Sequence, residues 1–293
     1  MEMRRIVWMS CLLAMSTMAS YAPALEEPSP DEQDRRPSWN ASVAATWLQG
    51  SGIDDHEGDV TMREASVGLG RRFMVSSNLD LSAGMRYSTK NIDAPEALRL
   101  PESLHSVSVS FGGEYRIRDD LMLGLMVSPG LSSDFKEIDS EDLRMHAGVH
   151  ALYRLSRRFS VVGGVAYKGG SEWPVIPIVG LQYQPSEQWA FSLGVPRTAI
   201  VFKPQKGMEI FVEGEFSGGG DYELHDASLR ADSVSYQDYR AVTGFDFPLT
   251  RVVRLKLSGG YAFGRKFDFS DGQRDDIKLE ATPFGRLEVK FSW

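Results

Sequence analysis

Cysteine is nearly missing from this 293-residue chain: its single copy, Cys11, lies close to the N-terminus. That region reads as a secretory signal, with a basic Arg4-Arg5 start, a mostly apolar run from Ile6 to Met18, and small residues at Ala22-Pro23-Ala24. Cleavage is expected after Ala24, because cutting after Ala22 would leave Pro23 in first position. Trp8-Met9-Ser10 is a poor lipidation box, so Cys11 is read as part of the signal. A mature chain without thiols has no disulfide, no Cys metal ligand and no Cys nucleophile, although it enters an oxidising compartment. A long apolar run is also missing. Ile6–Met18 falls short of the roughly 20 residues a spanning helix needs, and no later stretch is longer. Excess positive charge is missing too: the formal charge of -8 argues against a nucleic-acid partner. There is no G-x-S-x-G, H-E-x-x-H, P-loop or dinucleotide fingerprint, and Gly218–Gly220 precedes no helix that would make it a phosphate cradle.

What the chain does have is alternation with period 2. The last stretch, Ile277 to Trp293, reads I-x-L-x-A-x-P-x-G-x-L-x-V-x-F-x-W, with Lys278, Glu280, Arg286, Glu288 and Lys290 on the other face. A chain that stops on an aromatic ending such a strand resembles a bacterial outer-membrane β-barrel. Pro283 interrupts the run, and a bulge or kink is expected there because proline removes a ladder donor. Residues 25–37, acidic and proline-containing, read as a flexible periplasmic lead, and 38–293 as one barrel domain.

Fourteen strands are expected at 38–48, 61–73, 79–90, 104–117, 121–130, 143–155, 159–168, 174–184, 189–195, 198–204, 208–216, 236–248, 252–264 and 277–293. Short links alternate with long ones, as they do when both termini of an up-and-down antiparallel transmembrane barrel lie in the periplasm. Two outer links, Gly169 to Trp173 and Pro196-Arg197, are short. Strands 189–195 and 198–204 are below the roughly 9–11 residues of a tilted spanning strand. If they do not span, twelve strands remain; if they do, the wall dips there, and a lateral opening towards lipid follows as a hypothesis to be tested at Val195 and Thr198.

Aromatics on the apolar parity gather at strand ends, the girdle of a membrane barrel: Trp39, Tyr153, Tyr183, Trp189, Phe291 and Trp293 at the periplasmic end, Trp47, Tyr87 and Tyr261 at the outer end. From Pro177 to Glu223 the chain carries P-x-x-G-L-x-Y-x-P-S-x-x-W, a strand ending L-G-x-P, and a Gly-rich segment after F-x-E-G-E. Through Pro177, Gly180, Tyr183, Pro185, Ser186, Trp189, Gly194 and Pro196 it resembles an uncharacterised outer-membrane β-barrel family of Gram-negative bacteria, a domain of unknown function. The resemblance implies fold and an outer-membrane location, and no activity.

The other parity supplies lumen charges: Arg86, Glu114, Arg116, Arg144, His146, His150, Arg154, Lys168, Glu213, Glu215, Asp238, Arg240, Arg254, Lys256 and Glu280. Their mixed signs fit either a pore that sorts ions or a network of pairs filling a narrow lumen. His146 and His150 share a face but stand about 13 Å apart along a strand, too far to share a metal. Acidic clusters at Asp54–Asp59 and at Asp134, Glu137, Asp139, Glu141 and Asp142 lack the spacing of a calcium loop and read as solvated loop charge. Only His105 with Ser103 has the placement a lipid hydrolase would need, and no enzyme is expected. No cofactor or metal is implied. The partners expected are outer-membrane lipid, lipopolysaccharide and, through the C-terminal strand, the barrel-assembly machinery. The function expected is a passive channel or transporter for small or hydrophobic solutes; the alternative is a non-conducting structural or interaction barrel with a charge-filled lumen.

Overall fold

Consecutive staves of the wall pair side by side, and the sheet so formed closes on itself. The computed structural model describes residues 39–54, 56–169, 175–195, 197–270 and 274–293. The expected signal segment, its cleavage site, Cys11 and the lead at 25–37 lie outside them, as do Pro196 and most of the link after Gly169. In chain order the strands are β1 (Trp39–Ile53), β2 (His56–Ser76), β3 (Leu79–Asp93), β4 (Ser103–Arg118), β5 (Leu121–Ser133), β6 (Leu143–Ser156), β7 (Phe159–Lys168), β8 (Val175–Tyr183), β9 (Trp189–Val195), β10 (Arg197–Gln205), β11 (Met208–Glu223), β12 (Ser233–Pro248), β13 (Val253–Phe269), β14 (Ile277–Leu279) and β15 (Thr282–Ser292). β14 and β15 are two halves of one stave, both lying between β13 and β1, so the barrel is all-β, antiparallel and fourteen-stranded.

The twelve-strand alternative is corrected. β9 pairs with β8 from Tyr183↔Phe191 to Val179↔Val195 and with β10 from Trp189↔Phe202 to Ser192↔Ala199, and β10 continues the ladder to β11. Closure is made at the girdle: Trp39 N–H donates to the Trp293 carbonyl (2.9 Å) and Trp293 N–H to that of Trp39 (3.1 Å). Outward rows such as Val67, Leu69, Met85 on β2–β3 and Val109, Phe111, Leu125 on β4–β5 are exposed, an apolar belt that requires hydrocarbon around it. The girdle residues Tyr153, Tyr183, Trp189 and Trp293 stand exposed on the same outer surface.

Inside, the two halves differ. In the periplasmic half the inward face of β1–β4 is small and polar. Ser42, Gly68, Ser82, Gly84, Ser110 and Gly112 share it across β1–β4: a Cβ on Gly68 would lie 3.1 Å from Ser42 Oγ, and one on Gly84 3.2 Å from Ser110 Oγ. In the outer half the same face turns apolar and fully buried, with Leu48, Val60, Met62, Leu104, Val234, Tyr236 and Phe267 at 0–1% exposure. On β4 the switch comes between Ser106 and Leu104.

A band of bulges makes this plug. Gln49 and Gly50 of β1 stand opposite one residue of β2, and Gly264 and Arg265 of β13 opposite one residue of β12, with Gly264 at φ +59°. β14 and β15 part at Glu280 and Ala281 between them, so three adjacent staves carry one extra residue each and reverse which parity faces in. The apolar face of 277–293 is therefore not continuous: Ile277 and Leu279 are buried in the plug, whereas Leu287 and Phe291 are exposed outside. The interruption expected near Pro283 lies at Glu280–Ala281; Pro283 itself pairs with Tyr261, beyond the point where the β1 ladder has ended at Phe284.

Candidate functional site

The plug is centred on charge. Arg240, 1% exposed, donates from Nη1 to Glu64 Oε2 (2.9 Å), from Nη2 to Glu64 Oε1 (3.0 Å), and from Nε to Asp238 Oδ1 (2.9 Å). Lys90 pairs with the same Glu64, and Tyr236 O–H donates to Asp238 Oδ2 at 2.8 Å. Arg265 Nε in turn donates to Tyr236 Oη (3.1 Å), and its Nη1 to Ser51 Oγ. Charge inside so dry a cluster persists only when each group is paired and hydrogen-bonded, as here. Below it lies a second group: Lys256 reaches Glu213 Oε1 at 3.2 Å beside the Arg197–Glu213 pair, and Arg286 reaches Glu215 at 2.7 Å.

Most residues expected to line the lumen do so, in different surroundings. Arg86 is inward and exposed to the lumen. Glu114 pairs with Arg72 at 3.1 Å, and Arg254 with Asp246 at 2.8 Å. Arg116 and Arg154 stand at the periplasmic mouth. Arg144 reaches Glu223, His146 neighbours Lys168 on β7, and the His150 ring fills the space over Gly124, so the two histidines share no site. Glu280 departs from the expectation: it sits at the strand break, exposed, against Gly52 on the outer side, because the bulge band has inverted the parity. Sequence reading missed Glu64 and Lys90, which the polar parity of β2 and β3 marked, and Arg265, whose orientation only the Gly264 bulge explains.

The outer rim is crossed from one side to the other. β11 extends past β10 until Glu223 pairs with Ser133 at the end of β5, six staves away in the wall, and Asp134 N–H donates to the Glu223 carbonyl at 3.1 Å. Loops fasten this crossing. His225 N–H donates to Asp134 Oδ2 (3.2 Å), the His225 ring Nε2 meets Asp142 Oδ1 at 2.8 Å, and Lys136 pairs with Asp226. Asp139, Asp142 and His225 place one ligand atom each within 4.8 Å of one another. Asp142 Oδ2 is already taken by Asp139 N–H and Asp139 Oδ1 by Glu141 N–H, in the capping box of a single 3-10 turn. These bonds account for the cluster as a latch rather than a cation site.

The Asp142 hydrogen bond, with Asp139 and Asp134 nearby, raises the His225 pKa above its ordinary value. The bond to protonated His225 therefore stabilises the loop fully below the ordinary histidine pKa of about 6.5 and is lost as pH rises through the elevated value. Proteolysis of the 134–142 loop is expected to accelerate above that pH in the native chain, and to lose this pH dependence in His225→Ala; an unaltered profile in the variant would sink the assignment.

Ser103 and His105, on the outward face, come together: Ser103 Oγ lies 3.1 Å from His105 Nε2, and Tyr87 Oη 2.8 Å from Nδ1. Tyr87 and Phe135 both stack with the ring, at 6.0 and 5.3 Å between centroids. The arrangement builds His105 into the outer aromatic belt.

The chain belongs to a family described as a domain of unknown function (DUF6268), whose model matches residues 59–278. No curated protein sequence matches it. Among solved structures it is similar to an outer-membrane channel from Pseudomonas putida F1 (12% identity, 87% of this chain and 96% of that one, TM-score 0.49). It is similar also to the TodX monoaromatic hydrocarbon channel (9% identity, 88% and 90%, TM-score 0.49) and to LpxR from Salmonella typhimurium (10% identity, 87% and 100%, TM-score 0.39).

Proposed function

We propose that the protein is a passive channel for small solutes in the outer membrane of a Gram-negative bacterium. The observation that carries the reading is the periplasmic half of the lumen. Serine and glycine line its inner face over four consecutive strands, and Arg86 projects from that face while remaining exposed to solvent. A barrel filled for stability alone would carry large side chains there, as the outer half does. Small polar residues leave a water-filled vestibule, and the mixed charges of Arg72, Glu114, Arg254 and Asp246 around it favour neither cations nor anions strongly.

The plug favours the second reading, a structural barrel that does not conduct, and one measurement separates the two. Refolded protein in a planar bilayer in potassium chloride is expected to give small discrete open steps. A silent bilayer with protein that still shows the heat-dependent gel shift of a folded barrel would decide for the structural role.

A further inference from the structure

β11 leaves the barrel wall. Up to Glu215 it pairs with β10 through Arg197↔Glu215 and with β12 on its other side; beyond that it pairs with β12 alone until Glu223 reaches Ser133. The departure falls at Gly218–Gly220, where the register against β12 slips by one residue. After the slip Tyr222 turns into the plug, while Asp221 and Glu223 face the opposite way and meet Lys168 of β7 and Arg144 of β6. Both of those side chains point inward from the wall. The end of β11 therefore lies inside the curtain formed by β6–β8, and Glu223↔Ser133 seals a narrower outer ring of β1–β5 with β11–β14. β9 and β10 stop lower: their mutual ladder ends at Ser192↔Ala199, above which the Thr198 side chain bridges to Gly194, its Oγ1 donating to the carbonyl (3.3 Å) and accepting from the N–H (3.4 Å). Among the described residues, β8 has no partner on its β9 side from Val175 to Ile178, and β11 none on its β10 side from Phe216 to Tyr222.

We infer that the outer exit of the channel is the slot between the end of β11 and the inner face of β6–β8, opened when that end swings about Gly218–Gly220, and that it passes small amphipathic solutes. The inference rests on the channel reading. Three features support the route over one along the axis. An axial exit would have to break the Arg240–Glu64–Asp238 cluster and strand buried charges, whereas the β11 end, laddered to β12 and tied to β6 through Arg144–Glu223, meets β5 across the rim through one strand bridge and loop contacts. The slot's inner face is amphipathic: Ala166, Ile176 and Ile178, packed with Val162 and Val195, form an apolar patch on a parity that elsewhere in the lumen carries serine and glycine. Polar atoms on the bordering strands, Arg144 Nε, Asp221 Oδ2 and Arg197 Nε, are buried without a hydrogen-bond partner. Such atoms call for water or for the polar head of a solute.

A staple tests the route. Ser133→Cys with Glu223→Cys, in a Cys11→Ser background, places two thiols on residues paired across the bridge, within the Cα separation a disulfide accepts. In a planar bilayer in potassium chloride, the reduced protein, which lacks the Arg144–Glu223 pair, is expected to open at least as readily as the native chain, and the oxidised protein to lose at least about tenfold in open probability relative to the reduced one. Equal currents before and after oxidation overturn the lateral exit and leave the channel reading standing; a native chain that never conducts overturns both. Should the double variant not fold, His225→Ala loosens the same crossing from an exposed loop. Its open probability is expected to rise several-fold, and an unchanged value overturns the inference.

Discussion

Arg240→Ala is expected to cost about 3–5 kcal/mol of barrel stability, the range for removing one partner from a well-desolvated ion cluster. The guanidinium is the only described cation bonded to both Glu64 and Asp238, and it holds each with two hydrogen bonds or more. Its loss leaves Asp238, 0% exposed, facing only Tyr236 Oη, and Glu64 facing only Lys90. The exposed Arg118–Asp120 pair at 3.2 Å supplies the contrast, since surface pairs of this kind contribute about 0–1 kcal/mol. Urea titration of the folded band in lipid vesicles measures both. A loss below about 1 kcal/mol for Arg240→Ala would mean that the cluster is wet and the plug is not a seal.

Gly260→Val is expected to prevent the barrel from closing. A Cβ at this position would lie 1.8 Å from the Ala241 carbonyl oxygen and 2.9 Å from its carbon, both in the backbone of the neighbouring strand. Gly244 repeats the situation one strand over, where a Cβ would lie 2.3 Å from the Leu257 carbonyl oxygen. β12 and β13 coil so tightly here that only glycine fits, and no side-chain rotation relieves a clash with backbone. Ordinary overpacking costs about 1–3 kcal/mol; here the strands themselves must part, so failure to refold is the expected readout on the heat-shift gel. Gly285→Val is the matched control, because nothing lies within 4 Å of a Cβ there. Normal refolding of Gly260→Val would show that the sheet is more relaxed at this corner than the geometry indicates.

The staves themselves were legible because a membrane barrel writes its two surfaces into alternate residues. The strands expected at 159–168 and 189–195 coincide with those observed, and the aromatic girdle followed from the same parity. Counting by twos assumes no inserted residue, and the bulges at Gln49–Gly50, Gly264–Arg265 and Glu280–Ala281 each break that assumption. Beyond them the inward residues are those that the count assigns to lipid, which is why Ile277 and Leu279 read as membrane-facing; Arg265 fell in the link expected after residue 264. The strands also run further than expected at the outer end, β11 to Glu223 and β13 to Phe269, because the Gly218–Gly220 run and the Gly264 bulge interrupt the alternation before it resumes. The β5–β11 crossing joins residues 90 positions apart through a single bridge. No local pattern encodes it, although the Gly218–Gly220 run that permits it stands plainly in the sequence.

The two rings also divide the membrane electrically. Barrel diameter grows roughly linearly with strand number, so fourteen staves narrowing to the nine of β1–β5 and β11–β14 reduce the enclosed cross-section by a factor of about 2.4. On the channel reading the wide half is water-filled and the narrow half is packed, and two such segments in series share an applied voltage very unequally. Nearly all of it falls across the outer half, where each elementary charge moved through the full drop is worth about 2.3 kcal/mol per 100 mV. Arg86 in the vestibule sits at almost constant potential. The ion pairs that hold the end of β11 sit in the field, so a voltage across the membrane acts on the crossing and leaves the vestibule untouched.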